Sequence, residues 1–409
     1  MTYSEKFRYL EKIYNLKDQR IPVEETGMDI YNIKYISNSW RLLPGAYDYN
    51  CMKHTVDFNE KTPCNNEDLF LKYPDALKHE DLEITVNREF TYILFKKNDG
   101  KKANEVILLL HGLNEKHWNK YLPWAEKLVE LTGKAVLLFP IAFHMNRCPA
   151  EWSDSHLMNS VAILRRKYSP AITNCTFANA AISARIETIP QRFFWSGLET
   201  FYDIVAMISD IKKGKHEYID SGCTFDLFSY SIGSFLSEIL MMTNPRGYFE
   251  NSRLFMFCGG CTLDRMSPNS KFILDSDATI AIYSFYTERL ESALKLDKRI
   301  AHYFNVHNSG NYFKSMLSYK KCKEQREGRF KELSDRIYAI ALKNDDVIAP
   351  GEVINTLQGD FRDIPVKVDI MHFNYPYSHI KPFSEDKLYS AQVDEEFNKI
   401  FNSVAAFLK

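Results

Sequence analysis

Phe225-Asp226-Leu227-Phe228-Ser229-Tyr230-Ser231-Ile232-Gly233 is the stretch on which the fold turns. Phe225 to Phe228 reads as a short buried strand, and Ile232 to Met242 reads as a helix. Ser231 stands between them at what must be a sharp turn. Such a turn holds its serine in a strained backbone conformation and lifts the hydroxyl above the sheet. It needs small residues two before and two after the serine. Gly233 meets the second need, while Ser229 stands where a glycine is usual. The helix N-terminus aims free N–H groups at the same spot, favouring developing negative charge. A serine capping an ordinary helix would leave the same local string, so the context must decide.

That context is a regular alternation. Upstream, Val106–Leu110 and Ala135–Phe139 are continuous apolar runs, as for strands covered on both faces. Between them Tyr121, Trp124, Leu128 and Leu131 repeat at helical spacing, with Gly133 as the C-cap. Leu198, Phe201, Val205 and Ile208 predict a further helix. Downstream, strands are predicted at Leu254–Phe257, Ile337–Leu342 and Val366–Ile370. A last helix presents Val393, Phe397, Ile400, Val404 and Leu408 on one face. Strands alternating with helices specify an α/β fold with a mostly parallel sheet.

Residues 1–80 carry a weaker pattern, with Pro22, Pro44, Pro63 and Pro74 among many polar residues. They are expected to form an extension packed on the core, with a first helix at Ser4 to Tyr14. Residues 81–409 are expected to form one catalytic domain. Leu82–Thr85 and Phe90–Phe95 flank Asn87-Arg88 and suggest a hairpin. Residues 143–196 and 265–334 interrupt the alternation. Both follow strands, so both belong at the carboxyl edge where ligands bind, as a lid or cap.

A serine nucleophile needs a base, and the base needs a carboxylate. His372 and His379 follow the last strand. His379 lies further into a loop and is the preferred base, with His372 as a supporting residue. After the preceding strand comes Lys343-Asn344-Asp345-Asp346, where Asp346 is the preferred acid and Asp345 its competitor. His111-Gly112-Leu113-Asn114 ends the first core strand. The amides of Leu113 and Ile232 are the expected oxyanion donors, and His111 is expected to hold the loop. His144, Arg147 and Trp152, in the loop after the second core strand, are candidate substrate contacts.

His111-Gly112, the turn at Ser231, Asp346 before Ile348 and Pro350, and His379 before Pro382-Phe383 together resemble the α/β-hydrolase superfamily. The resemblance covers roughly residues 105–409 outside the insertions. It implies an eight-stranded sheet opened by the pair near Leu82 to Phe95, a Ser231–Asp346–His379 triad, and neither a metal nor an organic cofactor. The activity it implies is hydrolysis of a small acyl ester, or a related thioester or amide, through an acyl-serine. A peptidase of short peptides is the rival enzyme. A non-catalytic, ligand-binding relative is the other alternative, disfavoured because Ser, Asp and His are all present.

Composition narrows the partners. A formal net charge of −1 attracts neither nucleic acid nor an anionic membrane. The basic stretch Lys320 to Lys331 is interleaved with Glu324 and Glu327, as on a solvated helix. No apolar run is long enough to span a bilayer. Eight scattered cysteines in so long a chain make no disulfide framework, which points to the cytoplasm. Cys258-Gly259-Gly260-Cys261 has metal-ligand spacing, but no second pair or nearby histidine completes a site. Two small buried residues at a strand end is the expected reading. The substrate is expected to be a small molecule.

Overall fold

The computed structural model describes residues 1–46, 50–51, 56–57 and 70–409. Its centre is a nine-stranded, mostly parallel sheet flanked by helices. The strands are β1 (Arg20–Val23), β2 (Met28–Ile36), β5 (Glu89–Lys97), β6 (Ala103–Leu110), β7 (Ala135–Leu138), β8 (Ile219–Tyr230), β9 (Leu254–Phe257), β10 (Ile337–Leu342) and β11 (Lys367–Met371), in the order β1-β2-β5-β7-β6-β8-β9-β10-β11. β3 (Asn50–Cys51) and β4 (Val56–Asp57) form a separate antiparallel pair. From β7 to β11 every pairing is parallel, and β1, β2 and β5 join antiparallel. This is the α/β-hydrolase architecture expected from the sequence, with one strand more.

The helices that matter below are α1 (Tyr3–Ile13), α2 (Leu122–Thr132), α3 (Ser155–Tyr168), α4 (Ala180–Thr188), α5 (Arg192–Lys212), α6 (Ile232–Thr243), α7 (Ser276–Tyr283), α8 (Lys298–Val306), α9 (Asn308–Leu317), α10 (Lys323–Glu332), α11 (Pro350–Gln358) and α12 (Ser390–Leu408). α1 opens on a capping box between Thr2 and Glu5. α2 ends at Gly133, whose φ of +76° is the left-handed cap a glycine accepts without strain.

The two faces of the sheet explain the apolar runs. In β6, Val106, Leu108 and Leu110 join one core with α5, α6, α8 and α9. Ile107 and Leu109 join the other with α1, α2 and α12. A strand buried on both sides has no polar face to show.

The start of the sheet differs from expectation. Leu82–Phe95 is not a hairpin. Thr85–Arg88 is a helical turn, and β5 pairs along its length with β2, from Met28 opposite Lys97 to Ile36 opposite Glu89. Asn87 is fully buried beneath α5 instead of standing at a turn tip. Residues 20–36 thus supply two strands to the central sheet.

The segments at 143–196 and 265–334 hold α3, α4 and α7 to α10. Arg165 of the first clasps Asp275 of the second with two hydrogen bonds of 2.8 Å. Asn114, in the loop after β6, ties into both through the carbonyls of Ala178 (2.9 Å) and Phe272 (2.6 Å). Among the described residues no helix is long and apolar enough to cross a membrane.

Candidate active site

β8 runs directly into α6, and the joint is Ser231. Its φ of +56° and ψ of −123° lie where an L residue is strained. Ser231 occupies the N-cap position of α6, yet its side chain caps no amide. Its Oγ lies 2.7 Å from His379 Nε2 instead. The ordinary helix-cap reading therefore fails for this serine.

The crowding at the joint explains its small residues. A Cβ on Gly233 would stand 2.5 Å from the Leu110 carbonyl oxygen, which is backbone and cannot yield. Ser229 fits because it is buried with its hydroxyl donating to Ser234 Oγ at 3.2 Å. A still closer approach lies just beyond the joint, after β9. A Cβ on Gly259 would sit 2.1 Å from Ser234 Oγ and 2.9 Å from the Ser231 carbonyl oxygen. Cys258 and Cys261, on either side, are fully buried, and burial pushes both thiols well above their usual pKa.

His379 reaches Ser231 from the loop after β11. Its Nδ1–H donates to Asp345 Oδ2 at 2.8 Å, because a carboxylate only accepts. That places the proton on Nδ1 and leaves Nε2 to accept from the Ser231 hydroxyl. The loop is pinned from below, where the Tyr230 hydroxyl donates to the His379 carbonyl oxygen. The Tyr230 ring stacks on the imidazole at 5.5 Å. His372 is exposed and meets Tyr377 instead.

The carboxylate that meets His379 is Asp345, where Asp346 was expected. The Asp345 amide closes a turn on the Leu342 carbonyl, and its Oδ1 accepts from the amides of Val347 (2.9 Å) and Ile348 (2.8 Å). This side-chain-to-backbone turn directs the second oxygen inward to His379. Asp346, one residue on, faces solvent.

His111 holds loops, as expected. Its Nδ1–H donates to the Gly112 carbonyl at 2.8 Å, and its Nε2 accepts from the Ile141 amide at 2.9 Å. Burial lowers its pKa well below the usual value, as a neutral bridge requires. Leu113 and Ile232 both line a cavity of about 30 Å³ beside Ser231, together with His144, Phe193 and Ser196. The Ile232 amide is the first of α6, so it has no partner within the helix. Leu113 and His144 also border a second cavity of about 60 Å³, walled by Phe143, Trp152, Ile182 and Arg185. On the outer side Leu113 and Ile380 border a groove of about 480 Å³. A larger space of about 700 Å³ lies between Lys34, Tyr92, Met207 and His216 and shares no residue with the site.

The three loop candidates part company. His144 lines both small cavities. Its Nδ1–H donates to the Ala142 carbonyl at 2.9 Å, and burial lowers its pKa. Among the described residues its Nε2 has no hydrogen-bond partner. Trp152 borders the larger of the two, its indole donating to the Ala76 carbonyl and its ring lying under the Arg185 guanidinium at 4.4 Å. Arg147 is not at the cavities. It is fully buried and bonds Asn87, Glu199 and Asp203. Burial raises both acids above the usual carboxylate range, opposed by Arg147. Arg147 therefore packs the sheet end against α5 and lines none of the cavities described above.

Sequence reasoning missed Asp345 as first choice, Gly259, and Arg185. Only Gly259 carried a local signal, as half of a Gly-Gly pair directly after a strand.

A family model described as "Family of unknown function (DUF6051)" matches residues 1–409. No curated protein matches the chain. Among solved structures, carboxyl esterase 2 of the mycorrhizal fungus Tuber melanosporum is similar at 10% identity, over 79% of this chain and 82% of that one, with a TM-score of 0.45. An S-formylglutathione hydrolase from Agrobacterium tumefaciens is similar at 13% identity, over 94% and 97%, with a TM-score of 0.44. An esterase from the archaeon Pyrobaculum calidifontis is similar at 14% identity, over 79% of each chain, with a TM-score of 0.42.

Proposed function

For this chain, which belongs to the DUF6051 family, we propose a serine hydrolase acting on a small acyl ester. One observation carries the reading: Ser231, His379 and Asp345 form a continuous hydrogen-bonded chain of 2.7 and 2.8 Å at the end of β8.

Ser231 Oγ attacks the acyl carbonyl while His379 Nε2 takes its proton. Asp345 keeps the imidazole in the tautomer that can do so and stabilises its charge once protonated. The Ile232 and Leu113 amides hold the oxyanion, each worth on the order of 10² to 10³ in rate. His379 then protonates the leaving group. Water, deprotonated by the same imidazole, releases the acid and restores Ser231.

Size and cover support a small acyl group. Ser231 is 5% exposed, and the cavities that Leu113 and His144 border, the first of them also lined by Ile232, hold about 30 and 60 Å³. The groove of about 480 Å³ has room for a bulkier leaving group. The segments at 143–196 and 265–334 act as a lid over the nucleophile, and residues 81–409 act as one catalytic domain together with the two strands that residues 20–36 add to its sheet. An ester is favoured over a peptide because a substrate chain extending on both sides of the scissile bond has space on one side only.

The test is labelling with a fluorophosphonate, followed by a panel of p-nitrophenyl esters and aminoacyl-naphthylamides. Wild type is expected to label, Ser231→Ala not to, and short-chain esters to turn over fastest. An unlabelled wild type, or a Ser231→Ala protein that labels equally, defeats the proposal.

A further inference from the structure

Cys51 of β3, His302 of α8 and His307 at the joint of α8 and α9 converge in the buried interior, apart from the residues that surround Ser231. Their donor atoms all lie within 4.8 Å of one another. His307 Nε2 is the hub, 3.0 Å from His302 Nε2 and 3.5 Å from Cys51 Sγ.

We propose that these three side chains bind a zinc ion, with a water molecule as the fourth ligand of its tetrahedron. The first argument is distance. With Zn–S near 2.3 Å and Zn–N near 2.0 to 2.1 Å, a tetrahedral ion holds sulfur and nitrogen roughly 3.6 Å apart and two nitrogens roughly 3.3 Å apart. The observed 3.5 and 3.0 Å need to open by only a few tenths of an ångström. The second is donor chemistry. One thiolate and two neutral imidazoles form a borderline-soft set that suits zinc and excludes magnesium or calcium, which demand oxygen.

The third argument is the outer hydrogen bonding. A ligating histidine needs its other ring nitrogen fixed. His307 Nδ1 lies 3.1 Å from the Tyr202 hydroxyl, which lies 3.4 Å from Ser309 Oγ. With zinc on Nε2, Nδ1–H donates to Tyr202 and Tyr202 donates to Ser309. Binding displaces the Cys51 thiol proton to solvent, so uptake releases acid.

The ion has a clear task. β3 and β4 are a pair of two-residue strands, far below what is stable alone. Zinc staples them to the α8–α9 corner, and Tyr202 carries the hold onward to α5 beneath the sheet. Arg299 already links α8 to the same stretch through the Leu43 carbonyl at 2.6 Å. Cys51 and His307 are 256 positions apart, so no sequence spacing announces the set. The expectation of neither metal nor organic cofactor came from the family resemblance, and the one cysteine pair weighed as a metal site, Cys258–Cys261, takes no part here.

Metal analysis of the purified full chain is expected to give about one zinc per chain, and Ser231→Ala to keep it. Metal-free wild type titrated with Co²⁺ should develop the visible bands of a tetrahedral ion and a near-ultraviolet thiolate charge-transfer band. Cys51→Ser should lose the charge-transfer band, and Zn²⁺ should bleach both by displacement. If a histidine or cysteine variant fails to fold, the wild-type titration decides alone. Absence of stoichiometric binding by the metal-free wild type overturns the site. So does a cobalt spectrum that Cys51→Ser leaves unchanged.

Discussion

Asp345→Asn and Asp346→Asn, compared side by side, test the assignment most sharply. In the wild type Asp345 Oδ1 accepts the amides of Val347 and Ile348, while Oδ2 accepts His379 Nδ1–H. Asparagine has one acceptor and one donor end. Two backbone amides require its oxygen at the Oδ1 position, so its NH₂ must face the histidine. Nδ1 then has to accept, and the imidazole proton moves to Nε2. There it points at Ser231 Oγ, 2.7 Å away, and the base can no longer take the serine's proton. The turn itself survives, because both amide bonds remain.

The expected loss is about 10⁴ in turnover, the usual effect of a wrong tautomer in such a triad, or about 5.4 kcal/mol at ~1.36 kcal/mol per decade. Asp346 is exposed, and its change to Asn should stay within about threefold, as for a surface substitution of ~0.5 kcal/mol. The assay is turnover of the best p-nitrophenyl ester, with the fluorophosphonate labelling rate as a second readout and thermal melting as a check on folding. An Asp345→Asn protein within tenfold of wild type refutes the reasoning. Equal losses in the two variants would refute it as well.

Three further outcomes follow from the packing. Gly233→Ala places a Cβ 2.5 Å from the Leu110 carbonyl oxygen, so labelling should fall at least tenfold, with destabilisation of about 1–3 kcal/mol in urea unfolding; unchanged labelling would mean that the joint has slack. Arg147→Ala leaves the buried acids Glu199 and Asp203 without their cation and should cost about 3–5 kcal/mol. The KM of the surviving folded enzyme should not move, and a raised KM with intact stability would restore Arg147 as a substrate contact. Glu199 is raised by burial, so the folded state holds its proton more tightly than the unfolded chain. Its contribution to stability is full below the ordinary glutamate range and is lost as pH rises through the folded value. Glu199→Gln cannot ionise, so urea midpoints should fall less steeply for it than for wild type from mildly acidic to mildly alkaline pH; parallel slopes would show that Glu199 is not the titrating group.

The legible part of the fold was the part buried on both faces. β6, β7, β9 and β10 lie between two layers of helices, so their apolar runs are nearly unbroken. β2 was hidden by its polar residues, which the structure satisfies from nearby. Asp29 pairs with Arg20 at 3.0 Å and with the Tyr31 hydroxyl, and Asn32 donates to the carbonyls of Asn15 and Asp18 at 2.7 Å. A strand whose polar groups are paired by neighbours reads as a loop. At the site, Ser231 was marked by the strand-to-helix joint with Gly233 two residues on, and His379 by chain order and by lying further into its loop than His372. The acid did not, because adjacent aspartates differ only in how one turn folds. The surroundings of Arg147 were hidden for a related reason. A charged loop residue suggests a ligand, and its acids stand 52 and 56 positions further on, in the middle of α5.

Ser229 and the Cys258-Gly259-Gly260-Cys261 pair looked like two unrelated irregularities, and they have one cause. A turn that carries a strained serine must let a strand, a helix and the neighbouring strand end meet within van der Waals distance. Room has to be found on whichever side the helix leans. At Gly233 the limit is the backbone of β6, so glycine is required there in any version of the turn. At residue 229 the side chain meets Ser234, a small hydroxyl partner at 3.2 Å, and a serine is tolerated. Ser234 is held there from its far side, where any Cβ on residue 259 would overlap it at 2.1 Å. The glycine expected within the turn is thus needed one strand over, after β9, and the departure at Ser229 is matched by a glycine 30 positions later. Cys258 and Cys261 flank it as small buried neighbours. The turn and the Gly-Gly pair constrain the same space and are best varied together.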